Sequence, residues 1–413
     1  MKARFRALIE AHEQIHNIYH PVFFRTNAPS GLASFEALLD SGEVIFVHDE
    51  LYGQLHELIK MKSPSFKIKE EDYAGLISNH LAGTDIDTYG VWVYYPWSRR
   101  VVHMLDREEF IQVRTNRNQY KITRKEQEIL STKTIGIIGL SVGQSIALTL
   151  AMERGFGELR LTDFDTLELS NLNRIRAGAH NLGVPKVVVT AREIAEIDPF
   201  LNVICFFDGI TEENMEAFFT GNGKLDLLVD ECDGLDIKIL ARYKARELRI
   251  PVLMDTSDRG MLDVERFDLE PERPLLHGTI DNVDPNTIKD LSTEDKIPVM
   301  LQMLGIENIS LRAKASMLEV EQTINTWPQL ASSVALGGAV GTDVSGRYYI
   351  DLDDLVADKK LAEDEIFIRH NPFAPISEDD MQALVSELKP DEAPDDVYPD
   401  KETITKLVRA ASA

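Results

Sequence analysis

Short apolar runs alternate with helical patterns from Lys133 to about Gly278. The runs are rich in β-branched residues, whereas the segments between them repeat their apolar residues every three or four positions. This alternation predicts a doubly wound, mostly parallel sheet with helices on both faces, in the α/β class. The predicted strands are 134–140, 158–165, 202–207, 225–232 and 250–257, and the predicted helices are 142–154, 185–197, 211–220 and 235–249.

The flanking segments follow other patterns. Residues 1–120 contain one helical repeat at 49–62 and two strand signals, 89–97 and 99–105, joined by a Pro-Trp-Ser turn, so we predict an N-terminal α/β region. The unit that contains the parallel sheet, 121–280, comes next, and a predicted helical extension, 281–375, follows it. Its predicted helices are about 293–305, 309–326 and 328–346. The last contains ASSVALGGAVG, whose small residues predict close approach of another helix or subunit. Residues 376–413 are predicted to be an acidic linker and a terminal helix.

The composition of the chain argues against several classes of function. The formal net charge of -25 argues against a general binder of nucleic acid or anionic membranes. No apolar run approaches the roughly 20 residues of a membrane span, and the N-terminus lacks the apolar core of a signal peptide, so a cytoplasmic protein is expected. Because only Cys205 and Cys232 are present, neither a disulfide framework nor a four-cysteine zinc site is expected.

One short motif points to a metal. HEQIH, His12 to His16, matches the zinc-protease pattern in which two histidines one helical turn apart hold zinc and the glutamate acts as base. No third ligand is recognisable, and no sheet precedes the motif to form a cleft. The favoured interpretation is a solvated helix face.

The segment IGIIGLSVGQSIALTLA, 135–151, has the strand, glycine turn and helix start of a nucleotide site. Such a turn binds anions through backbone N–H groups and the helix dipole. A dinucleotide fingerprint begun at Gly139 requires glycines at 141 and 144, but the second glycine is Gly143. Asp163 ends the next predicted strand, where it can accept hydrogen bonds from ribose hydroxyls. These features fit either NAD or ATP.

The loop that follows favours a nucleoside triphosphate. Residues 163–186 supply Arg174 and Lys186, a second cationic group suited to the charge that develops on departing pyrophosphate. The run VDECDG places Asp230 and Asp233 at the carboxyl edge of the sheet, where ligands of open α/β sheets bind. A carboxylate there can hold Mg²⁺ against phosphate oxygens. Asp230 is expected to be a strand-end or cap residue rather than a ligand.

With these motifs in order, the sequence resembles the ThiF/MoeB/HesA family, the prokaryotic relatives of ubiquitin-activating enzymes. The resemblance covers about 111–280, more faintly to 346, and rests on RTNRNQ, GLSVGQ, DFDTLELSNLNR, GVPK and VDECDG. It implies a Rossmann-like sheet that binds ATP and Mg²⁺ and adenylates a carboxylate, commonly the C-terminus of a ubiquitin-like protein. It also implies a homodimer.

Site residues follow from the resemblance by position. They are the phosphate turn Gly139, Ser141, Val142 and Gly143; Asp163 on the ribose; Asp165 and Asn171 shaping the nucleotide pocket; Arg174 and Lys186 on the phosphates; and Asp233 at the metal. Arg117 corresponds to an arginine that reaches the partner subunit's triphosphate, although Asn118 interrupts the family's Arg-Gln pair.

Departures from the family limit the chemistry. The two C-x-x-C pairs of its zinc-binding members are missing, and no cysteine follows Cys232, so neither zinc nor a cysteine thioester is expected. Gly234 stands where the family often has Asn or Asp. The favoured function is ATP-Mg-dependent adenylation of a carboxylate that passes to an external nucleophile. The alternatives are an NAD(P)-dependent oxidoreductase and a non-catalytic dimeric nucleotide-binding module.

Overall fold

The computed structural model describes residues 2–119, 121–258, 260–279, 299, 303, 309–320 and 322–350. Its strands form a four-stranded sheet in the N-terminal region and a six-stranded sheet after it. The strands are β1 Val22–Phe24, β2 Phe46–Asp49, β3 Val91–Tyr95, β4 Arg100–Met104, β5 Thr134–Ile138, β6 Glu158–Thr162, β7 Asn202–Phe206, β8 Leu227–Asp230, β9 Val252–Asp255 and β10 Leu262–Glu265. The α-helices are α1 Lys2–Glu13, α2 Pro29–Asp40, α3 Leu51–Lys62, α4 Tyr73–Leu81, α5 Arg107–Thr115, α6 Arg124–Leu130, α7 Gly143–Glu153, α8 Lys186–Ile197, α9 Met215–Thr220, α10 Leu235–Glu247, α11 Leu311–Met317 and α12 Ala331–Ile350.

The larger sheet has the strand order β10-β9-β8-β5-β6-β7. Its strands are parallel except β10, which runs antiparallel to β9. Chain order reverses between β5 and β8, and ligands of such sheets bind at the carboxyl ends of the strands beside that reversal. The predicted Rossmann-like, doubly wound, mostly parallel sheet is confirmed. Of the six strands, β10 was not predicted; it is a short strand in which apolar and acidic residues alternate.

Helices cover both faces of this sheet. The apolar faces of α7 and α8 share one hydrophobic core, and those of α9 and α10 share a second on the opposite face. The small residues of α12 pack directly on α7. A Cβ added to Gly338 would lie 2.1 Å from Ser145 Oγ, and one added to Gly341 would lie 3.1 Å from Ile146 Cδ1. The close helix approach predicted from ASSVALGGAVG is confirmed.

The smaller sheet has the order β1-β3-β4-β2. The predicted hairpin is confirmed, since β3 and β4 pair antiparallel, while β2 pairs parallel with β4. This sheet contacts the larger unit through Phe23, whose ring stacks on Phe200 at 5.3 Å. Arg114, at the end of α5, donates hydrogen bonds to the carbonyls of Ala151 and Met152 and so fixes the N-terminal region to the last turn of α7.

The end segments depart from their predicted patterns. The helix expected over 309–326 is shorter, Leu311–Met317, and those expected over 293–305 and after 376 lie outside the described residues, apart from 299 and 303. The HEQIH pattern needs His12 and His16 on one helix face, but α1 ends at Glu13 and His16 lies in the following turn. Within the described part of the chain, no helix has both the length and the apolar character needed to cross a membrane.

Candidate nucleotide and acyl site

The glycine turn between β5 and α7 lies at the reversal of strand order. Gly139 has a φ of +85°, a left-handed conformation that favours glycine. A Cβ on Gly143 would lie 2.7 Å from Ile137 Cγ2, so glycine also lets α7 begin close to the strand. The free N–H groups and positive dipole end of α7 therefore face the carboxyl edge of the sheet, which suits a phosphate group.

Asp163 follows β6 and holds this turn in place. Its carboxylate accepts hydrogen bonds from the amides of Leu140, at 2.7 Å, and Asp165, at 2.8 Å. Burial raises the pKa of Asp163, while the charge of Lys186 and the two amide donors oppose that rise. The residue predicted to bind ribose thus joins the phosphate turn to the loop after β6, and its role toward ribose stays a prediction.

The loop after β6 brings a cation to the phosphate turn. Arg174 Nε donates to Ser141 Oγ at 2.8 Å, and its Nη1 donates to Asn173 at 2.8 Å. Asn171 is buried and supports this loop, since its Oδ1 accepts from the amide of Glu168 at 3.0 Å. Burial lowers the pKa of Arg174, and the negative charge of Asp233 opposes that effect. The structure therefore places the Arg174 guanidinium against the phosphate turn, within reach of the charge of Asp233.

Lys186 is the first residue of α8. It is buried, and its Nζ lies 2.7 Å from Asp165 Oδ2, while its backbone N–H donates to the Asp165 carbonyl at 2.9 Å. Both residues were predicted for the nucleotide pocket, and the structure brings them together. A lysine held by a half-exposed carboxylate can exchange that partner for a phosphate with little loss of packing.

Asp233 lies in the loop between β8 and α10, on the rim of a cavity that Ser141 and Val142 also line. Its side chain is exposed. Within the described residues, no three or more His, Cys, Asp or Glu side chains are grouped as metal ligands. Mg²⁺ in nucleotide sites commonly binds through one or two carboxylates plus substrate phosphates. An exposed carboxylate in the lining that it shares with the phosphate turn fits that manner of binding.

Asp230, at the end of β8, belongs to a buried charge network. Its carboxylate contacts Lys238 Nζ at 2.9 Å and the guanidinium of Arg242, which also binds Glu265. Burial acts to raise the pKa of Asp230, but Lys238 and Arg242 outweigh it and bring the pKa to about 2. The network lies beneath the Asp233 loop, which it anchors to α10 and β10.

The cavity beside the phosphate turn has a volume of about 160 Å³. Sequence patterns identified its phosphate side, Ser141 and Asp233, but missed its opposite side. There Gln329 Oε1 accepts a hydrogen bond from Ser141 Oγ at 3.3 Å, and the backbone carbonyl of Gln329 accepts one from Asn173 Nδ2 at 2.9 Å. Asp255 was also missed, although it ends β9 and the strand-end rule could have found it. No local pattern marks Gln329, because it is brought in from 188 residues away.

The two cysteines are poorly suited to nucleophilic chemistry. Burial raises the pKa of the Cys205 thiol to about 12, and its Sγ contacts the Val187 carbonyl at 3.5 Å. Burial, together with the charge of Asp230, raises the pKa of Cys232 well above its ordinary value. Because the thiolate is the reactive form, neither side chain is activated in this structure.

Comparison with known proteins agrees with this geometry. The family model described as "ThiF family" matches residues 114–310, a span that begins at Arg114 and takes in the phosphate turn, the cationic loop, the Asp233 loop and Ile309 of the cavity wall. These residues form a ThiF domain.

Named relatives share this domain but extend beyond it. The chain is 45% identical over 256 residues to the uncharacterized protein MT1398 of Mycobacterium tuberculosis (strain CDC 1551 / Oshkosh), covering 62% of this chain and 35% of that protein. It is 29% identical over 155 residues to tRNA threonylcarbamoyladenosine dehydratase of Bacillus subtilis (strain 168), covering 37% and 60%. It is 27% identical over 150 residues to molybdopterin-synthase adenylyltransferase of Haemophilus influenzae (strain ATCC 51907 / DSM 11121 / KW20 / Rd), covering 36% and 60%. The chain thus spans about a third of the first relative and three fifths of the others.

Arg117 lies at the start of the ThiF domain but away from its phosphate turn. Its neighbours Arg114 and Asn118 donate to carbonyls of Met152, at 2.9 Å, and Glu153, at 3.1 Å, in the last turn of α7. The turn lies at the other end of this 11-residue helix, about 16 Å away at 1.5 Å per residue. An exposed Arg117 therefore does not join the site of its own chain.

Proposed function

We propose that this protein uses ATP and Mg²⁺ to adenylate a carboxylate, with release of pyrophosphate. The observation that carries the proposal is the contact of Arg174 with Ser141 on the phosphate turn, beside a cavity that Ser141 and Asp233 both line. A dehydrogenase needs no cation at this point, whereas a departing pyrophosphate does. The name of the Haemophilus influenzae relative, an adenylyltransferase, supports the same activity.

The proposed reaction is an in-line displacement. A carboxylate oxygen of the substrate attacks the α-phosphorus of ATP, the bond to the α–β bridging oxygen breaks, and its electron pair leaves with pyrophosphate. No protein base is required, because a carboxylate is already ionised at pH 7. Arg174 and Lys186 stabilise the charge on the departing group, and the amides of the phosphate turn hold the triphosphate. Asp233 would hold Mg²⁺, whose charge neutralises phosphate oxygens when it is bound.

The acyl-adenylate would then react with an external amine, thiol or water. The raised thiol pKa values of Cys205 and Cys232 favour transfer without a cysteine thioester. The C-terminus of a ubiquitin-like protein or another peptide is a candidate substrate, and a cytoplasmic location is expected. A homodimer is proposed as well, in which Arg117, exposed and away from the phosphate turn of its own chain, would act in the partner's site.

Two alternatives predict other behaviour. The comparisons do not support an NAD(P)-dependent oxidoreductase, since the relatives named above with an activity are a dehydratase and an adenylyltransferase. A dimeric module that only binds nucleotide would hold ATP without exchanging pyrophosphate.

Pyrophosphate exchange tests the proposal. The assay first screens carboxylic acids for one that supports ATP-pyrophosphate exchange by the wild type, since exchange runs through the acyl-adenylate. With that acid, Lys186→Ala and Asp233→Ala should each lower exchange at least about 100-fold, the usual effect of removing one group that stabilises the transition state. Lys224→Ala is the matched control, because Lys224 is exposed and donates to the Leu248 carbonyl at 3.0 Å, far from the phosphate turn. All three should keep the circular dichroism of the wild type. Full exchange in both site variants would refute the assignment.

A further inference from the structure

The cavity beside the phosphate turn is largely apolar, and nothing in the nucleotide chemistry requires that. Its apolar wall comes from β9, the segment after it, α11 and the approach to α12. The main contributors are Met254, Met261, Met303, Ile309, Met317 and Trp327. Methionine is flexible and polarisable, so such a wall adapts to apolar groups of varied shape.

The position of the cavity indicates what enters it. Ser141 and Val142 of the phosphate turn form one part of its lining, and the apolar wall forms the rest. A ligand with a carboxylate at the α-phosphate of ATP would therefore extend its neighbouring atoms between the methionines. The cavity is the place for the group that carries the reacting carboxylate.

The volume sets the size of that group. A dry cavity of about 150 Å³ in another protein binds benzene, and this one measures about 160 Å³. The space thus matches one phenyl or branched aliphatic group. A glycine-ended tail, which has no side chain beside its carboxylate, would leave most of it unfilled.

Four carboxyl residues also line the cavity, namely Glu231, Asp233, Asp255 and Asp258. Two of them are held by backbone amides: Glu231 Oε1 accepts from the Asp255 amide at 2.8 Å, and Asp255 Oδ2 accepts from the Ser257 amide at 3.0 Å. These two carboxyl groups are thus hydrogen-bonded within the protein, and the methionines and Trp327 provide the surface for an apolar group.

We infer that the substrate is a carboxylic acid with an apolar group of phenyl or leucine side-chain size next to the reacting carboxylate. The inference rests on the proposed function, and it replaces a glycine-ended tail with an apolar acid as the favoured substrate.

Direct binding tests the cavity separately from the chemistry. Titration calorimetry in the presence of Mg²⁺ and α,β-methylene-ATP, whose α–β bridge cannot be cleaved, would compare 3-phenylpropanoate and 4-methylpentanoate with acetate, glycylglycine and 3-phenylpropanamide. The two apolar acids should bind at least about tenfold more tightly than the other three, because only they combine apolar area with a carboxylate.

Variants on α11 locate the binding. Ala313→Phe should fill the cavity and abolish the preference, whereas Leu318→Phe, at the residue directly after α11 and 80% exposed, should keep it. Met317→Ala enlarges the space, so 3-(2-naphthyl)propanoate should gain affinity even if the filled variant folds poorly.

Equal binding of all five probes, or a preference that survives Ala313→Phe, would overturn the inference. Pyrophosphate exchange with the same acids is scored independently. If the apolar acids bind without exchange, the cavity assignment stands and the adenylation proposal fails.

Discussion

Replacing Gly139 with alanine should separate the phosphate turn from the Asp233 loop. The new Cβ would lie 2.6 Å from the Glu231 carbonyl oxygen, 2.7 Å from its carbon and 2.9 Å from the Cys232 nitrogen. All three are backbone atoms, so no side chain can rotate away. Ordinary contact begins at 3.4 Å, which means that the two loops must move apart by about 0.8 Å. Misplacement on this scale can cost about 100-fold in rate.

A second glycine separates this steric effect from backbone strain. Gly183 has the same φ of +85°, but a Cβ there meets nothing within 4 Å. Gly183→Ala should lose about 1–2 kcal/mol in urea unfolding, the cost of a left-handed conformation for a residue with a Cβ, and Gly139→Ala should lose more because of its backbone contacts. Only Gly139→Ala should also lower pyrophosphate exchange, by about 100-fold relative to Gly183→Ala. Exchange rates within twofold of each other would refute the claim that contact between these loops sets the site geometry.

Three further predictions concern charge. Arg242→Met should cost about 3–5 kcal/mol in urea unfolding, because it leaves the buried carboxylate of Glu265 without its partner; a loss below 1 kcal/mol would contradict this. The pKa of Asp255, raised to about 6 from an ordinary 3.8, means that the folded state binds this proton more tightly. Wild type should therefore gain about 2–3 kcal/mol over Asp255→Asn as the pH falls from 7 to 4, and parallel pH profiles would count against the shift. If Arg117 acts in the partner's site, mixing inactive Arg117→Ala and Lys186→Ala subunits should restore roughly a quarter of the exchange, since half of the dimers gain one complete site; no recovery would exclude that role.

The parallel sheet could be predicted because its strands are buried on both faces. Such strands are continuous apolar runs, and TIGII and LLVD are bounded by turn residues that make them stand out. The edge strand β10, LDVE, was missed because it is short and half of its residues are charged. Helix ends were predicted to within two residues for α7, α8 and α10, but α11 proved much shorter than the apolar repeat over 309–326.

The site likewise contains residues that the sequence could predict and residues that it could not. Asp163 and Lys186 could be proposed from sequence because one follows a strand and the other begins a helix at the ligand edge, where position along the chain determines position in space. Arg174 was proposed as a cation of the long loop between them. The location of Arg117 could not be deduced, since it depends on the contacts of Arg114 with the end of α7. Gln329 and Trp327 reach the cavity only through tertiary packing of the segment before α12.

The two sides of the cavity therefore differ in how far the sequence predicts their residues. The nucleotide side is built by consecutive loops of one sheet, so its residue spacing follows from the strand order. The apolar wall combines Met254 and Met261, from β9 and the segment after it, with residues of α11 and of the segment before α12. Under the proposed function, substitutions in this wall should alter the acid that is accepted while Arg174, Lys186 and Asp233 stay in place. The motifs that led to the adenylation proposal therefore do not predict the substrate, because most of the wall lies outside them.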